Sequence, residues 1–101
     1  MPSDMNFPKS TASVLLSDPE KIRRRLGSHF HHKIAVTVEE HFSLLDFGIG
    51  TCEMHSRGQL LRFDCAAATG QDLLDIEQTL ARHLLGMTPV TRDQIQWQRD
   101  S

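Results

Sequence analysis

Six histidines and two cysteines carry the donor atoms in this 101-residue chain that suit metal or covalent chemistry. Three of the histidines crowd into the hexapeptide Ser28-His29-Phe30-His31-His32-Lys33. Imidazole and thiolate suit a transition metal such as zinc or iron, or a haem. His29, Cys52 and His83 therefore form one candidate set, three ligands with one position open. All three fall on stripes expected to face the interior. The competing reading is structural. A histidine near a helix C-terminus hydrogen-bonds a backbone carbonyl there, and a free cysteine in a core behaves as a small hydrophobe. His31 and His32 are adjacent and point in different directions, which suits a solvated pair. A nucleophile at Cys52 would need a base within hydrogen-bond reach and access that an enclosed thiol lacks, so no enzymatic activity is expected.

The run Lys21, Arg23, Arg24 and Arg25 could meet phosphate. A charge run on a helix is more often a solvated face, and a net charge of −2 gives no general attraction to nucleic acid or anionic lipid. A nucleic-acid partner is accordingly the weakest of the readings weighed.

These side chains must be positioned by a small set of elements. Ala12, Val14 and Leu16 alternate as a strand over Thr11–Ser17. Ser17-Asp18-Pro19-Glu20 then combines a capping box, a capping aspartate and a proline suited to the first helical position. The first helix is expected over Pro19–Phe30, with Ile22, Leu26, Phe30 and His29 inward. From Ile34 to Ala67 the period changes to two. Two-residue turns at Glu40-His41, Gly48-Ile49 and Arg57-Gly58 pair Val36 with Leu45, Leu45 with Cys52, and Cys52 with Phe63. Glu53 then lies across from Arg62. Thr69-Gly70-Gln71-Asp72 starts a second helix over Gly70–Leu85, with Leu73, Ile76, Leu80, Leu84 and Met87 as its stripe and Gly86 and Pro89 as its stop. A last strand is expected over Gln94–Gln98, with Ile95 and Trp97 inward. The two helices share a register: Ile22, Leu26, His29 and Phe30 match Ile76, Leu80, His83 and Leu84 in spacing.

The predicted fold is α+β, in the order β-α-β-β-β-β-α(-β). Both helices cover one face of a curved antiparallel sheet, and residues 10–98 form the single domain between loose tails at 1–9 and 99–101. Phe42, Leu44 and Leu60 fall on the opposite face, beside Glu53 and Arg62. Clustered apolar side chains on an uncovered sheet face suggest partner contact. These five residues are the expected ligand or partner surface, with homodimerisation the leading form of contact. No apolar run approaches the ~20 residues needed to span a bilayer, and no export signal is visible, so a soluble cytoplasmic protein without a membrane partner is expected.

The chain resembles a small bacterial family of domains of unknown function, number 2218. The likeness is carried by Ala12-x-Val14, Asp18-Pro19, Leu26-x2-His29-Phe30-x-His32-Lys33, Gly50-x-Cys52, His83-Leu84 and Trp97. It covers roughly residues 10–98. The resemblance implies a strand–helix–meander–helix arrangement similar to the TATA-binding-protein-like class. It also implies an accessory role in iron acquisition, because members stand alone or are joined to siderophore-interacting flavoproteins. The chain departs from the family pattern in having Leu85-Gly86-Met87 after the second histidine and no tyrosine.

Overall fold

The computed structural model describes residues 7–100. Its elements run β1 (Lys9–Leu15), α1 (Pro19–Phe30), β2 (Ala35–Val38), β3 (Phe42–Asp46), β4 (Gly50–Arg57), β5 (Leu60–Ala67), α2 (Gly70–Met87), a single 3-10 turn (Arg92–Gln94) and β6 (Gln98–Asp100). The strands form one antiparallel sheet in the order β2-β3-β4-β5-β1-β6. Both helices pack on the same face of it, α1 over β2 to β5 and α2 over β4 and β5. The loose tail expected over 1–9 falls largely on residues 1–6, outside the described residues, as does Ser101.

Local chemistry explains most boundaries. The Asp18 carboxylate accepts from the backbone N–H of Lys21, and Pro19 fills the first turn of α1. Thr69 caps α2 in the same way, through the N–H of Asp72. Gly86 does not stop α2, which continues to Met87 before Thr88 closes it. Alternation places Leu45, Cys52, Met54, Leu61, Phe63 and Cys65 beneath the helices, where they meet Leu26, Phe30, Leu73, Ile76, Leu80 and Leu84. Gly50 marks the tightest approach: a Cβ there would lie 2.3 Å from the Ala66 carbonyl oxygen and 2.8 Å from Ile76 Cδ1.

One hairpin is corrected. The β4–β5 turn is Gly58-Gln59, not Arg57-Gly58, because Arg57 pairs with Leu60. The reason is backbone geometry. Gly58 has φ +60°, and a two-residue turn with a single left-handed residue needs its glycine first. Cys52 therefore faces Cys65 and Met54 faces Phe63. The slip is even, so each side chain keeps its expected face. The chain's end is corrected too: Gln94–Gln98 is not a strand. Ile95 is buried and Trp97 packs against the core as expected. The ladder to β1 is made instead by Gln98–Asp100, and a clasp from Arg99 Nη2 and Nε to the buried Glu77 carboxylate, at 2.9 and 3.2 Å, ties β6 to α2.

The largest departure concerns Arg23. It is not part of a solvated basic face but is completely buried. Its Nε donates to Ser56 Oγ at 3.1 Å and Nη1 to Ser43 Oγ at 2.5 Å. Nη2 donates to Glu20 Oε2 at 2.6 Å and to the carbonyls of Glu39 and Glu40 at 3.2 and 2.6 Å. The buried arc of α1 is Ile22, Arg23, Leu26, Gly27 and Phe30. It is turned toward Arg23 and Gly27 and away from His29, which is exposed rather than inward.

Glu20 completes the network. The Ser56 hydroxyl donates to Glu20 Oε1 at 2.5 Å, and with the Arg23 and Arg24 guanidiniums it holds the Glu20 carboxyl at a pKa of about 2, against the opposing effect of burial. A folded-state pKa below the unfolded value makes the carboxylate's contribution complete above pH ~4.5 and lost as pH falls toward 2. Urea unfolding of the wild type should therefore lose stability steeply between those limits. In Glu20→Gln that part of the acid loss should vanish, with lower stability at neutral pH.

Candidate functional site

The uncovered face of the sheet is built by the outward residues of β1 to β5. The ladder aligns Thr37, Leu44, Glu53, Asp64 and Thr11 in one row across it. The neighbouring row is Phe42, His55, Arg62 and Ser13. Phe42, Leu44 and Leu60 sit on this face as the alternation predicted. Phe42 and Leu44 are half-buried among neighbours, and Leu60 is exposed. Leu60 lies directly opposite Leu15, whose side is 71% exposed, so the apolar patch extends one strand further than expected.

The polar part of the face differs from expectation. Glu53 faces Asp64, and Arg62 faces His55. Two carboxylates directly opposed on an antiparallel pair repel, and the surrounding side chains offset this. Arg62 donates from Nε and Nη2 to Asp64 Oδ2 at 3.0 and 2.8 Å, and Thr11 Oγ1 donates to Asp64 Oδ1 at 2.9 Å. His55 Nε2 lies 3.2 Å from Glu53 Oε1 and 3.7 Å from Asp64 Oδ2. The Phe42 ring packs on the His55 ring at a centroid distance of 5.1 Å, which fixes the imidazole. Beyond this cluster the face dips into a groove of about 520 Å³ lined by His41, His55, Arg57, Leu60, Arg62 and Ser13. The face thus carries acidic groups on one side of His55 and basic groups on the other.

The three ligands expected on the helix side do not gather. His29 and His83 do meet, ring to ring at 4.6 Å, and His83 also packs on Phe30 at 4.7 Å. His83 Nδ1 donates to the Thr79 carbonyl at 2.7 Å, the backbone bond anticipated for a histidine late in a helix. Cys52 stands apart, fully buried and opposite Cys65. Among the described residues, the three donors that come within 4.8 Å of one another are Glu53, His55 and Asp64. Sequence reasoning missed His55 and Asp64. The alternation already put both outward, but the displaced turn set Arg62, not Asp64, across from Glu53.

Burial raises the Cys52 thiol well above its ordinary value, reinforced by the adjacent Cys65. A thiol held protonated and out of water cannot serve as a nucleophile. Both thiols are free and buried. Ellman's reagent should leave them unmodified in the native protein and titrate two per chain in 6 M guanidinium; fast native reaction would contradict the packing described.

Comparison with known proteins follows the fold. The family model of DUF2218, described as an uncharacterized protein conserved in bacteria, matches residues 11–98, and the chain belongs to this family. The NMR structure of PA4090 from Pseudomonas aeruginosa is similar, with a TM-score of 0.79 at 25% identity over 92% of this chain and 96% of that one. No curated protein matches the chain. Among the described residues no helix is long and apolar enough to cross a membrane.

Proposed function

We propose that this DUF2218 protein is a non-catalytic binding module that pairs with a second copy of itself through the uncovered sheet face. The observation that carries the reading is the make-up of that face. Leu15, Phe42, Leu44 and Leu60 are set among charges segregated by sign, with Glu53 and Asp64 on one side and Arg57 and Arg62 on the other. A two-fold axis through such a surface sets each acidic half against the partner's basic half, with Phe42, in the row of His55, nearest the axis and Leu15 and Leu60 at the basic end. Four inter-strand steps of ~4.8 Å by strands averaging ~21 Å give a footprint on the order of 400 Å², which against a standard of ~800 Å² per partner fits a small, reversible interface.

The opposite face has no comparable role to offer, since both helices are committed to it. The enclosed thiols support a binding role over a nucleophilic one. They also fit a reducing compartment, and we place the protein in the cytoplasm on that ground. The accessory role in iron acquisition implied by the family likeness fits a module that brings a siderophore-interacting flavoprotein to a dimer. Nucleic acid is a poorer partner for this surface, because Arg23 is withdrawn from the basic run and the exposed face carries both signs of charge.

Sedimentation equilibrium of tag-free protein tests the pairing. The wild type should run as a dimer at micromolar concentration, and Leu44→Glu as a folded monomer with association weakened at least a hundredfold. A monomeric wild type, or an unchanged mass for the variant, would remove this face from consideration.

A further inference from the structure

We infer that Glu53, His55 and Asp64 form a binding site for one divalent first-row transition-metal ion on the outer face of β4 and β5. The three donors come from the middle of paired strands, so the ladder and not a loop holds their spacing. Ligands about 2.1 Å from a common ion lie roughly 3.0 Å apart at octahedral angles and 3.4 Å apart at tetrahedral ones. Glu53 Oε1 and Asp64 Oδ2 lie 3.2 and 3.7 Å from His55 Nε2, and all three donor atoms lie within 4.8 Å of one another, so side-chain rotation is enough to bring them to one centre.

Charge points the same way. His55 Nε2 faces two carboxylate oxygens with at most one proton to share between them. Arg62 donates both its bonds to Asp64 Oδ2, the oxygen that faces His55, so a cation shares that oxygen with the guanidinium, and the cluster keeps one negative charge in excess when the imidazole is neutral. A cation in place of the Nε2 proton satisfies both carboxylates at once. The surroundings are those of an oriented site. Thr11 holds Asp64 Oδ1, the oxygen that does not face His55, and Phe42 braces the imidazole. Hydrogen-bonded ligands held in this way bind metal more tightly than free ones. One imidazole nitrogen with two carboxylates favours a transition ion over calcium or magnesium, which prefer all-oxygen shells. The site does not depend on pairing of the sheet face, since all its donors come from one chain.

Isothermal titration of tag-free protein with Zn²⁺ in a non-chelating buffer tests this. One ion should bind per chain, calcium at millimolar concentration should not displace it, and His55→Ala should weaken binding at least tenfold. Glu53→Gln should also weaken it, which guards against a folding defect in the histidine variant. The double variant His29→Ala/His83→Ala should bind as the wild type does. Absence of saturable binding by the wild type would overturn the assignment. So would binding that survives in His55→Ala and disappears when His29 and His83, or His31 and His32, are replaced.

Discussion

The buried guanidinium of Arg23 is the constraint on which the rest of the structure depends. Taking a charge out of water costs several kcal/mol even after relaxation, and the fold offsets this by giving each of the three guanidinium nitrogens at least one acceptor. Two serines, one carboxylate and two turn carbonyls converge on one planar group. Those acceptors come from α1, β3, β4 and the β2–β3 turn, so a single side chain fixes the helix over two strands and shapes the turn beside them. The connection Glu40-His41 contains neither glycine nor asparagine. It is held because the carbonyls of Glu39 and Glu40 are claimed by Arg23, not because its residues favour a tight turn.

The functional surface follows from that commitment. With α1 anchored by Arg23, and α2 joined to the final strand by Glu77 and Arg99, both helices are spent on one face and the other is left to its own side chains. There the register decides everything. It aligns two carboxylates and interposes a histidine, and it places Leu15 beside Leu60 at the end where the arginines gather. Apolar contact, segregated charge and a cluster of metal-ligating donors all arise from one set of strand pairings.

The meander was legible because alternation over four strands overdetermines the faces. Gly48 and the phase of Val36, Leu45 and Cys52 fixed two turns, and an error at the third left every side chain on its proper side. Partners were less legible than faces. Placing Gly58 second in its turn moved Cys52 from Cys65 to Phe63 and hid the opposition of Glu53 and Asp64. Helix one showed a different limit. Periodicity ranks residues by hydropathy, so it preferred His29 to Arg23, although the arginine has buried acceptors waiting and the histidine does not. All of those acceptors but Glu20 lie 16 to 33 residues away in sequence, on strands and a turn whose position only the folded chain reveals. The clasp between Glu77 and Arg99 was missed for the same reason.

A double-mutant cycle between Arg23 and Ser56 tests the central claim most directly. Urea unfolding of Arg23→Met, Ser56→Ala and the double variant gives the coupling between a helix residue and a strand residue that meet only in the native packing. If the guanidinium organises the helix face as described, the coupling should be about 0.5–3 kcal/mol, the range for contacting members of one network. Additivity to within about 0.3 kcal/mol would show that the two act independently, and would contradict the account.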